Sequence, residues 1–212
     1  RSQAILHPSG ALLANGTKVS DAKATLVLPP VITGAVAVWP YRTMAHEWKV
    51  ELNIDHVGWH VANNLDVHLA NGATILQPLS WQNTYAVMVG TEYKWLAIEA
   101  LPSWDVALRA GYTHQPTQMP DFSFDPGVPS ADANIVGGGM GFLCRSGGKI
   151  LGLVPCVEVG VGRIRTQGIG LDLSYQASLY DGRTIAGNRN PTVNGTYRTM
   201  LHTGGLSLRL LF

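Results

Sequence analysis

The sequence predicts an all-β protein: an antiparallel up-and-down sheet of the kind that forms transmembrane β-barrels. Apolar and polar side chains alternate along successive segments, long and short connections alternate between them, and Trp and Tyr gather at the two ends of the segments. Period-2 alternation is the pattern of strands with two different faces. Alternating loop lengths and aromatic girdles are typical of barrels that cross a membrane.

Composition favours a surface that faces lipid. Of the 212 residues only 14% are charged, with 15 basic against 14 acidic side chains, while 24 are Gly, six are Trp and seven are Tyr. The balanced charge does not favour nucleic acid or an electrostatically held membrane surface as a partner. The longest apolar run, 31–39, is interrupted by Thr33 and Gly34 and is shorter than the roughly 18–20 residues of a transmembrane helix. We therefore expect the chain to meet a membrane through strands.

The predicted strands are separated by Pro, Gly and Asn-Gly turn signals. They are a stub at 1–6 and the segments 31–39, 47–60, 84–95, 104–115, 134–143, 169–180 and 199–212. The clearest alternation in the first half places Trp48, Val50, Leu52 and Ile54 on one face, against Glu47, Lys49, Glu51, Asn53 and Asp55 on the other. Helical spacing would scatter both sets, so this segment is predicted as a strand.

The last segment carries much of the prediction. Leu206, Leu208, Leu210 and Phe212 alternate with Thr203, Gly205, Ser207 and Arg209. Soluble domains rarely end on such a strand, because their termini are usually polar and frayed. Many bacterial outer-membrane barrels end on an apolar strand that closes with Phe, and a polar face containing Arg fits a wet lumen.

Connection lengths give the strands a direction. Segments 10–30, 62–83, 116–133 and 181–198 are long, 40–46 and 97–103 are short, and 144–168 is irregular. Extracellular loops of outer-membrane barrels are long and periplasmic turns are short, so we expect the long loops outside. This polarity also sorts the aromatics into two belts: Trp39, Trp48, Trp95 and Trp104 beside the short turns, and Trp59, Tyr85, Tyr112 and Tyr180 toward the long loops.

Several stretches together resemble one family, the FadL/TodX-type outer-membrane transporters of long-chain fatty acids and aromatic hydrocarbons. They occur in the family's order over nearly the whole chain: Leu28-Pro29-Pro30-Val31-Ile32-Thr33-Gly34, 48–59 with its terminal Gly58-Trp59, Trp81-Gln82-Asn83-Thr84, Gly90-Thr91-Glu92-Tyr93, Leu108-Arg109-Ala110-Gly111-Tyr112, Pro129-Ser130-Ala131-Asp132, Leu171-Asp172-Leu173-Ser174-Tyr175-Gln176 and 194–212. The chain resembles the C-terminal half of that family.

The resemblance implies a monomeric, 14-stranded barrel plugged by a small N-terminal domain, of which this chain supplies about seven or eight strands. Residues 1–212 would be the C-terminal part of a single outer-membrane β-barrel domain, with the plug and the first half of the barrel absent. The implied function is passive uptake of hydrophobic compounds. The expected partners are a long-chain fatty acid or other hydrophobic small molecule and the outer-membrane lipid or lipopolysaccharide, and no cofactor is expected.

The resemblance also suggests ligand-binding residues. A lumen cation is expected to meet a fatty-acid carboxylate, and Arg109 and Arg209 are the candidates because guanidinium binds carboxylate bidentately. Leu12 and Leu13 are candidates for an apolar extracellular groove, with packing inside their own loop as the alternative. The charged side chains predicted to face inward are Lys49, Glu51, Asp55, Glu92, Lys94, Asp105, Arg109, Asp172 and Arg209. The alternative to ligand binding is that these side chains pair with one another and stiffen the lumen wall.

Segment 144–168 departs from the family, which usually has a short turn at this point. Cys144 and Cys156 would lie at the periplasmic side, an oxidising compartment. Two outcomes stay open, a disulfide between them or two unpaired thiols. Two Cys at this spacing match no metal site.

Other functions find little support in the sequence. The run Gly137-Gly138-Gly139-Met140-Gly141 lies inside a predicted strand and lacks the phosphate-loop pattern, and no G-x-S-x-G elbow is present for a lipase. His56 and His60 share one face of segment 47–60 and are expected to be interfacial side chains rather than metal ligands. No catalytic residue is therefore predicted. A porin for polar solutes and a structural barrel without transport remain the alternatives to hydrophobic uptake.

Overall fold

The structure, a computed structural model, describes residues 3–6, 22–69, 71–96, 98–128, 130–145, 147–150, 152–157 and 167–211. The strands in these residues are β1 (Gln3–Leu6), β2 (Ala22–Val27), β3 (Val31–Arg42), β4 (His46–Val57), β5 (Val67–Leu69), β6 (Thr74–Ile75), β7 (Thr84–Trp95), β8 (Trp104–Gln115), β9 (Ala133–Cys144), β10 (Lys149–Ile150), β11 (Val154–Pro155), β12 (Gly168–Tyr180), β13 (Arg183–Ile185), β14 (Gly195–Tyr197) and β15 (Met200–Leu211). Short 3-10 helices lie at Trp59–Val61, Asp121–Ser123 and Pro191–Val193. Across the described residues, no helix has the length and apolar character to span a membrane.

The long strands form one sheet. In the described part of the chain its order is β15-β12-β9-β8-β7-β4-β3, and every neighbouring pair is antiparallel. Each long strand therefore pairs with the long strands before and after it in sequence, which is an up-and-down meander. The predicted all-β, antiparallel up-and-down architecture is confirmed, and its two described edges, β3 and β15, are open.

The two faces of this sheet differ as the alternation predicts. The inner face carries the charged side chains, and the outer face carries large apolar ones that are far from buried; Leu206 is 73% exposed and Leu208 is 66% exposed. Segments 58–83, 116–132 and 181–199 connect the strands at one end of the sheet, which we call the loop end. Segments 43–45, 96–103 and 145–167 connect them at the opposite end, which we call the turn end. An apolar face of this extent is stable only against an apolar environment.

Two strand boundaries differ from those predicted. β3 continues through Pro40 to Arg42, because the pairing with β4 shifts register between Val38 and Tyr41 and Pro at such a bulge costs no ladder hydrogen bond. β4 ends at Val57, not at residue 60. Gly58 ends it, where the chain passes so close to Pro30 that an added Cβ would lie 2.9 Å from the Pro30 Cγ.

The expected shared face of His56 and His60 is therefore wrong. His60 lies in the 3-10 helix Trp59–Val61, and its Nδ1 lies 2.8 Å from Asn83 Oδ1. His56 stays on the outer face of β4, with its ring 4.6 Å from the ring of Tyr85. The two side chains thus lie on different elements and contact different partners.

The long connections, which the sequence predicts as loops, contain short strands. Within 22–30 and 58–83, β2, β5 and β6 form a small sheet with β1, in the order β1-β2-β5-β6. The stub 1–6 contains a strand, as predicted, but within the described residues this strand pairs with β2 and not with an edge of the main sheet, so it does not add an eighth strand to that sheet. Strands of two to six residues are too short for alternation to reveal them.

The turn end carries the irregular segment. Cys144, the last residue of β9, forms a disulfide with Cys156, and β10 and β11 make a small hairpin inside the closed loop. Both sulfur-bearing residues have no exposed surface. Of the two outcomes left open by the sequence, the disulfide is the one found.

Candidate functional site

Cross-strand pairing brings charged side chains on the inner face into one continuous row near the turn end. The successive contacts are Arg42–Glu47 at 3.3 Å, Glu47–Lys94 at 3.1 Å, Lys94–Glu92 at 2.9 Å, Glu92–Arg109 at 2.5 Å, Arg109–Asp172 at 2.7 Å and Asp172–Arg209 at 2.6 Å. We call these seven side chains the ion-pair row. Cations and carboxylates alternate along it, so each charge is balanced by its neighbours in a setting less screened than open water.

A glycine makes the middle of this row possible. Arg109 is on β8 and Asp172 is on β12, with β9 between them. Gly141 of β9 lies under the contact, and a Cβ added there would be 2.6 Å from Asp172 Oδ1 and 2.9 Å from Arg109 Nη1. Any side chain at position 141 would displace the ion pair.

Both predicted ligand-binding arginines belong to the ion-pair row. Arg209 gives Asp172 a two-pronged contact, Nε to Oδ2 at 2.6 Å and Nη2 to Oδ1 at 3.1 Å, while Arg109 Nη1 reaches the same Oδ1. The structure therefore brings the two predicted residues together on one carboxylate.

Mutual pairing holds for most of the other inward charges as well. Lys49 lies 2.9 Å from Glu51, and Asp105 is paired with Arg145. The exception among the nine is Asp55, whose buried Oδ1 has no hydrogen-bond partner within the described residues. Mutual pairing, the alternative expected for these side chains, is therefore what the structure shows for eight of the nine.

Between the ion-pair row and the loop end, the inner face has a patch of three neighbouring glycines, which carry no side chains. The cross-strand register places Gly90 of β7 opposite Gly111 of β8, and Gly111 opposite Gly137 of β9. Glu51 and Gln176 flank the three glycines on β4 and β12. The resulting concavity has a volume of about 390 Å³, and we call it the glycine hollow.

The packing of the sheet does not demand these glycines. An added Cβ would come no closer than 4.0 Å to a described atom at Gly90, 3.4 Å at Gly111 and 3.5 Å at Gly137, which are ordinary contacts. Glycine weakens a strand interior, because it costs backbone entropy and offers no side chain to pack. Three aligned glycines with no steric cause indicate that the space above them is used.

The walls of the glycine hollow have two different characters. Met88 and Ile135 line its side nearer the loop end, with Thr113 between them. Lys49, Glu92 and Arg109 line the opposite side, where the ion-pair row begins. The hollow can therefore hold a molecule with an apolar part and a polar or anionic end.

The loops above the hollow pack into a unit of their own. Met119, Phe124 and Ile185 form a small buried core, against which Trp81, Val193 and Tyr197 pack. We call this unit, from segments 58–83, 116–132 and 181–199, the loop cap. Its apolar core makes it part of the fold and not a set of loose connections.

Arg183 ties the loop cap together. Its guanidinium donates to Asp121 Oδ1 at 2.6 Å, to the Met119 carbonyl at 2.7 Å and to the Ser130 carbonyl at 2.8 Å. It also lies 5.4 Å from the centre of the Phe124 ring. A planar guanidinium with several donors suits such a junction, and Lys could not replace it.

The remaining predicted residues, Leu12 and Leu13, lie outside the described residues. Within the described residues, no group of three or more His, Cys, Asp or Glu side chains is placed to hold a metal ion. Sequence reasoning did not find the glycine hollow or the loop cap. The alternation predicts that Gly90 and Gly111 face inward, but the Gly-rich strand that contains Gly137 does not alternate, and the alignment of the three glycines depends on register between strands.

An antiparallel wall with a charged inner face, an apolar outer face and loops gathered at one end defines a transmembrane β-barrel protein. The model of the family described as outer membrane protein transport protein (OMPP1/FadL/TodX) matches residues 2–150, and the chain belongs to this family. The chain is also similar to the crystal structure of a Pseudomonas aeruginosa FadL homologue, with 16% sequence identity and a TM-score of 0.55 over 89% of this chain and 35% of that one. A comparison with curated proteins gave no match.

Membership places the protein in the bacterial outer membrane, in a family of transporters and not of enzymes. The chain spans about a third of the length of the FadL homologue's chain, 35%. The inner face of the main sheet is then part of a lumen wall, and its outer face is the outer surface of the barrel wall.

Proposed function

We propose that the full-length protein carries hydrophobic compounds passively through the outer membrane, with long-chain fatty acids or aromatic hydrocarbons as cargo. The observation that carries the proposal is the glycine hollow, a side-chain-free space of about 390 Å³ in the lumen wall. Its volume falls in the range of about 300–1,000 Å³ that is usual for small-molecule sites. Transfer of apolar surface out of water supplies the driving force, and no chemical step is needed.

The charges beside the hollow favour an amphiphile with an anionic end. The ion-pair row holds four cations, Arg42, Lys94, Arg109 and Arg209, against the three carboxylates of Glu47, Glu92 and Asp172, an excess of one positive charge. Arg109 belongs to the row and also lines the hollow. We infer that it meets the ligand's carboxylate, with Arg209 supporting it through Asp172. The apolar chain would lie toward Met88 and Ile135.

Leu12 and Leu13 are proposed as part of the first contact with ligand at the loop end. Their place in the sequence supports this, because they lie between β1 and β2, and β2 is followed by β3, which begins at the loop end. Replacing both by Ser is expected to slow uptake at low ligand concentration and to leave the maximal rate unchanged. An unchanged concentration dependence would remove these two residues from the proposal.

We also infer that residues 1–212 are the C-terminal part of one barrel that works as a monomer in outer-membrane lipid. Support comes from the 35% coverage of the FadL homologue's chain and from the open edges β3 and β15 of the described sheet. Unpaired ladder edges are not stable in lipid. Heat-modifiability on detergent gels tests this, because a full-length barrel should shift on boiling, whereas a compact, heat-sensitive band from residues 1–212 alone would contradict it.

Transport is tested with the full-length protein in liposomes, by comparing entry of oleate, toluene and a sugar. Gly111→Leu fills the hollow, while Gly34→Leu adds the same side chain to the outer face of β3, where no described atom lies within 4 Å of the added Cβ. We expect oleate or toluene entry with wild type and Gly34→Leu, and at least a tenfold loss with Gly111→Leu. Entry of the sugar at a similar rate would indicate a porin, and no entry of any probe would indicate a structural barrel.

A further inference from the structure

The outer face of the main sheet carries a second concavity, on the side of the wall opposite the glycine hollow. It lies over β9, β12 and β15 and has a volume of about 540 Å³. We call it the outer groove; its lining includes Gly138, Met140, Leu173, Tyr175, Gly204 and Leu206. Tyr175 contributes an aromatic ring and a hydroxyl to this lining, and the other outward residues are Met, Leu or Gly.

Two glycines create the outer groove. The register places Gly138 and Gly204 on either side of Tyr175. A Cβ added at Gly204 would meet no described atom within 4 Å, and one at Gly138 would meet only the Arg109 carbonyl, at 3.6 Å. Neither glycine is required by the packing of the chain itself. The other outward residues of β15 include Leu206, Leu208 and Leu210, so the missing side chain at Gly204 leaves a space that is open to the membrane.

Two polar side chains, Tyr175 and His202, lie at the loop end of this groove. The Tyr175 hydroxyl lies 2.6 Å from His202 Nδ1, and the two rings are stacked with centroids 6.0 Å apart. With the hydroxyl as donor, neutral His202 carries its proton on Nε2, which leaves an N–H on the exposed side of the ring. An N–H facing hydrocarbon is costly, whereas one at the headgroup level finds acceptors.

His202 lies near the loop end of the sheet, where we expect the lipid headgroups. β15 begins at Met200, so His202 is only two residues from the loop end of its strand. Arg198, which is exposed, precedes β15 by two residues and adds a positive charge at the same end. Donors and positive charge above an apolar groove complement a lipid with a phosphate headgroup, whose oxygens accept hydrogen bonds and carry negative charge.

We propose that the outer groove and the Tyr175–His202 pair together bind one phosphate-bearing lipid of the outer membrane. An acyl chain lies over Gly138 and Gly204, in the space that the two glycines leave. The phosphate accepts a hydrogen bond from His202 Nε2, and Tyr175 holds the imidazole in the tautomer that donates. This site is on the lipid side of the wall and is independent of cargo in the lumen.

Native mass spectrometry of the full-length protein in detergent tests the site, with titration of dioleoylphosphatidylglycerol and of dioleoylglycerol, which has the same chains without phosphate. Wild type is expected to retain one phosphatidylglycerol about tenfold more tightly than the diacylglycerol, the gain of one charge-assisted hydrogen bond. Gly204→Leu fills the groove and should weaken retention of both lipids. His202→Phe keeps the stacked ring and should remove only the preference for phosphate. Gly34→Leu, the same change at an outward glycine away from the groove, should match wild type.

Each variant can overturn the proposal separately. Retention by Gly204→Leu equal to that of Gly34→Leu would show that the groove holds no acyl chain. A phosphate preference that survives in His202→Phe would show that the imidazole does not contact the headgroup. Gly204→Leu adds its side chain to open space on the outer face, and His202→Phe keeps an aromatic ring. Heat-modifiability of each variant confirms that the barrel has formed before its lipid binding is compared.

Discussion

Arg109 on β8 is bonded to Asp172 on β12 across the full width of β9, with Nη1 2.7 Å from Oδ1. Two strand spacings separate β8 from β12, about 10 Å, and only the long Arg side chain covers that distance. The contact passes over Gly141, where there is no side chain to block it. The ion-pair row thus depends on one glycine in the strand that contributes no charge to it.

Substitution of Gly141 tests this dependence. In Gly141→Val the new Cβ would stand 2.6 Å from Asp172 Oδ1, so Arg109 and Asp172 must separate. The pair is partly exposed, with side-chain exposures of 36% and 18%, so we expect a loss of about 1–2 kcal/mol in the free energy of unfolding. Urea-induced unfolding of the full-length protein in lipid measures it. Gly34→Val is the control, and equal stability of the two variants would contradict the account.

Arg109 is expected to distinguish anionic from neutral cargo. Arg109→Gln should weaken oleate binding by about tenfold, the value of one charge-assisted interaction, and leave toluene binding unchanged. Arg209→Gln should have a smaller effect, because Arg209 does not line the glycine hollow. Equilibrium binding to the purified full-length protein measures both ligands. Equal losses for oleate and toluene in Arg109→Gln would indicate structural damage, and no loss for either would remove Arg109 from the ligand site.

The loop cap should loosen as a unit when Arg183 is replaced. Arg183→Met removes donors to two carbonyls and to Asp121 from a side chain that is only 16% exposed, at a cost of about 2 kcal/mol. Amide hydrogen exchange in 117–128 and 188–197 is expected to accelerate roughly thirtyfold, while β7, β8 and β9 keep their protection. Arg183→Lys should be nearly as damaging, because Lys lacks the planar fork. Rescue by Lys would show that charge alone holds the cap.

The disulfide should stabilise the turn end and resist reduction in the folded protein. Cys144 and Cys156 are 12 residues apart in sequence, and closing a loop of this size is worth about 3 kcal/mol on the chain-entropy model. Replacing both by Ser is expected to lower the unfolding midpoint in denaturant. Because both residues are fully buried, thiol labelling under reducing conditions should require denaturant. Rapid labelling of the native protein would show that the turn end opens on its own.

The main sheet was predictable because its strands are long. In β8, Trp104, Val106, Leu108 and Tyr112 face outward and Asp105, Arg109 and Thr113 inward, as the alternation predicts, and the strand bounds agree with the predicted 104–115. Such alternation assigns each residue of a strand to the polar or the apolar face directly from the sequence. The pairing of Cys144 with Cys156, by contrast, stayed open, since spacing alone does not bring two sulfurs together.

Errors and omissions fell where local signals are weak. The end of β4 was predicted three residues too late, because the strand ends at a tertiary contact, the approach of Pro30 to Gly58, which the sequence pattern does not report. The short strands in the loops gave no periodic signal, so the pairing of β1 with β2 was missed. The loop cap was missed for a related reason: Met119, Phe124 and Ile185 are far apart in sequence and lie in segments without regular period.

By itself the sequence determined the class of the protein: long strands with one apolar and one polar face, and the inward placement of Arg109 and Arg209. These properties follow from side-chain period and composition, which are local. Tertiary structure alone decided that Arg109 and Arg209 share Asp172, that Gly90, Gly111 and Gly137 align into a hollow, and that Gly138 and Gly204 flank Tyr175. Each of these depends on the register between neighbouring strands, and a shift of one residue would move every such side chain to the other face.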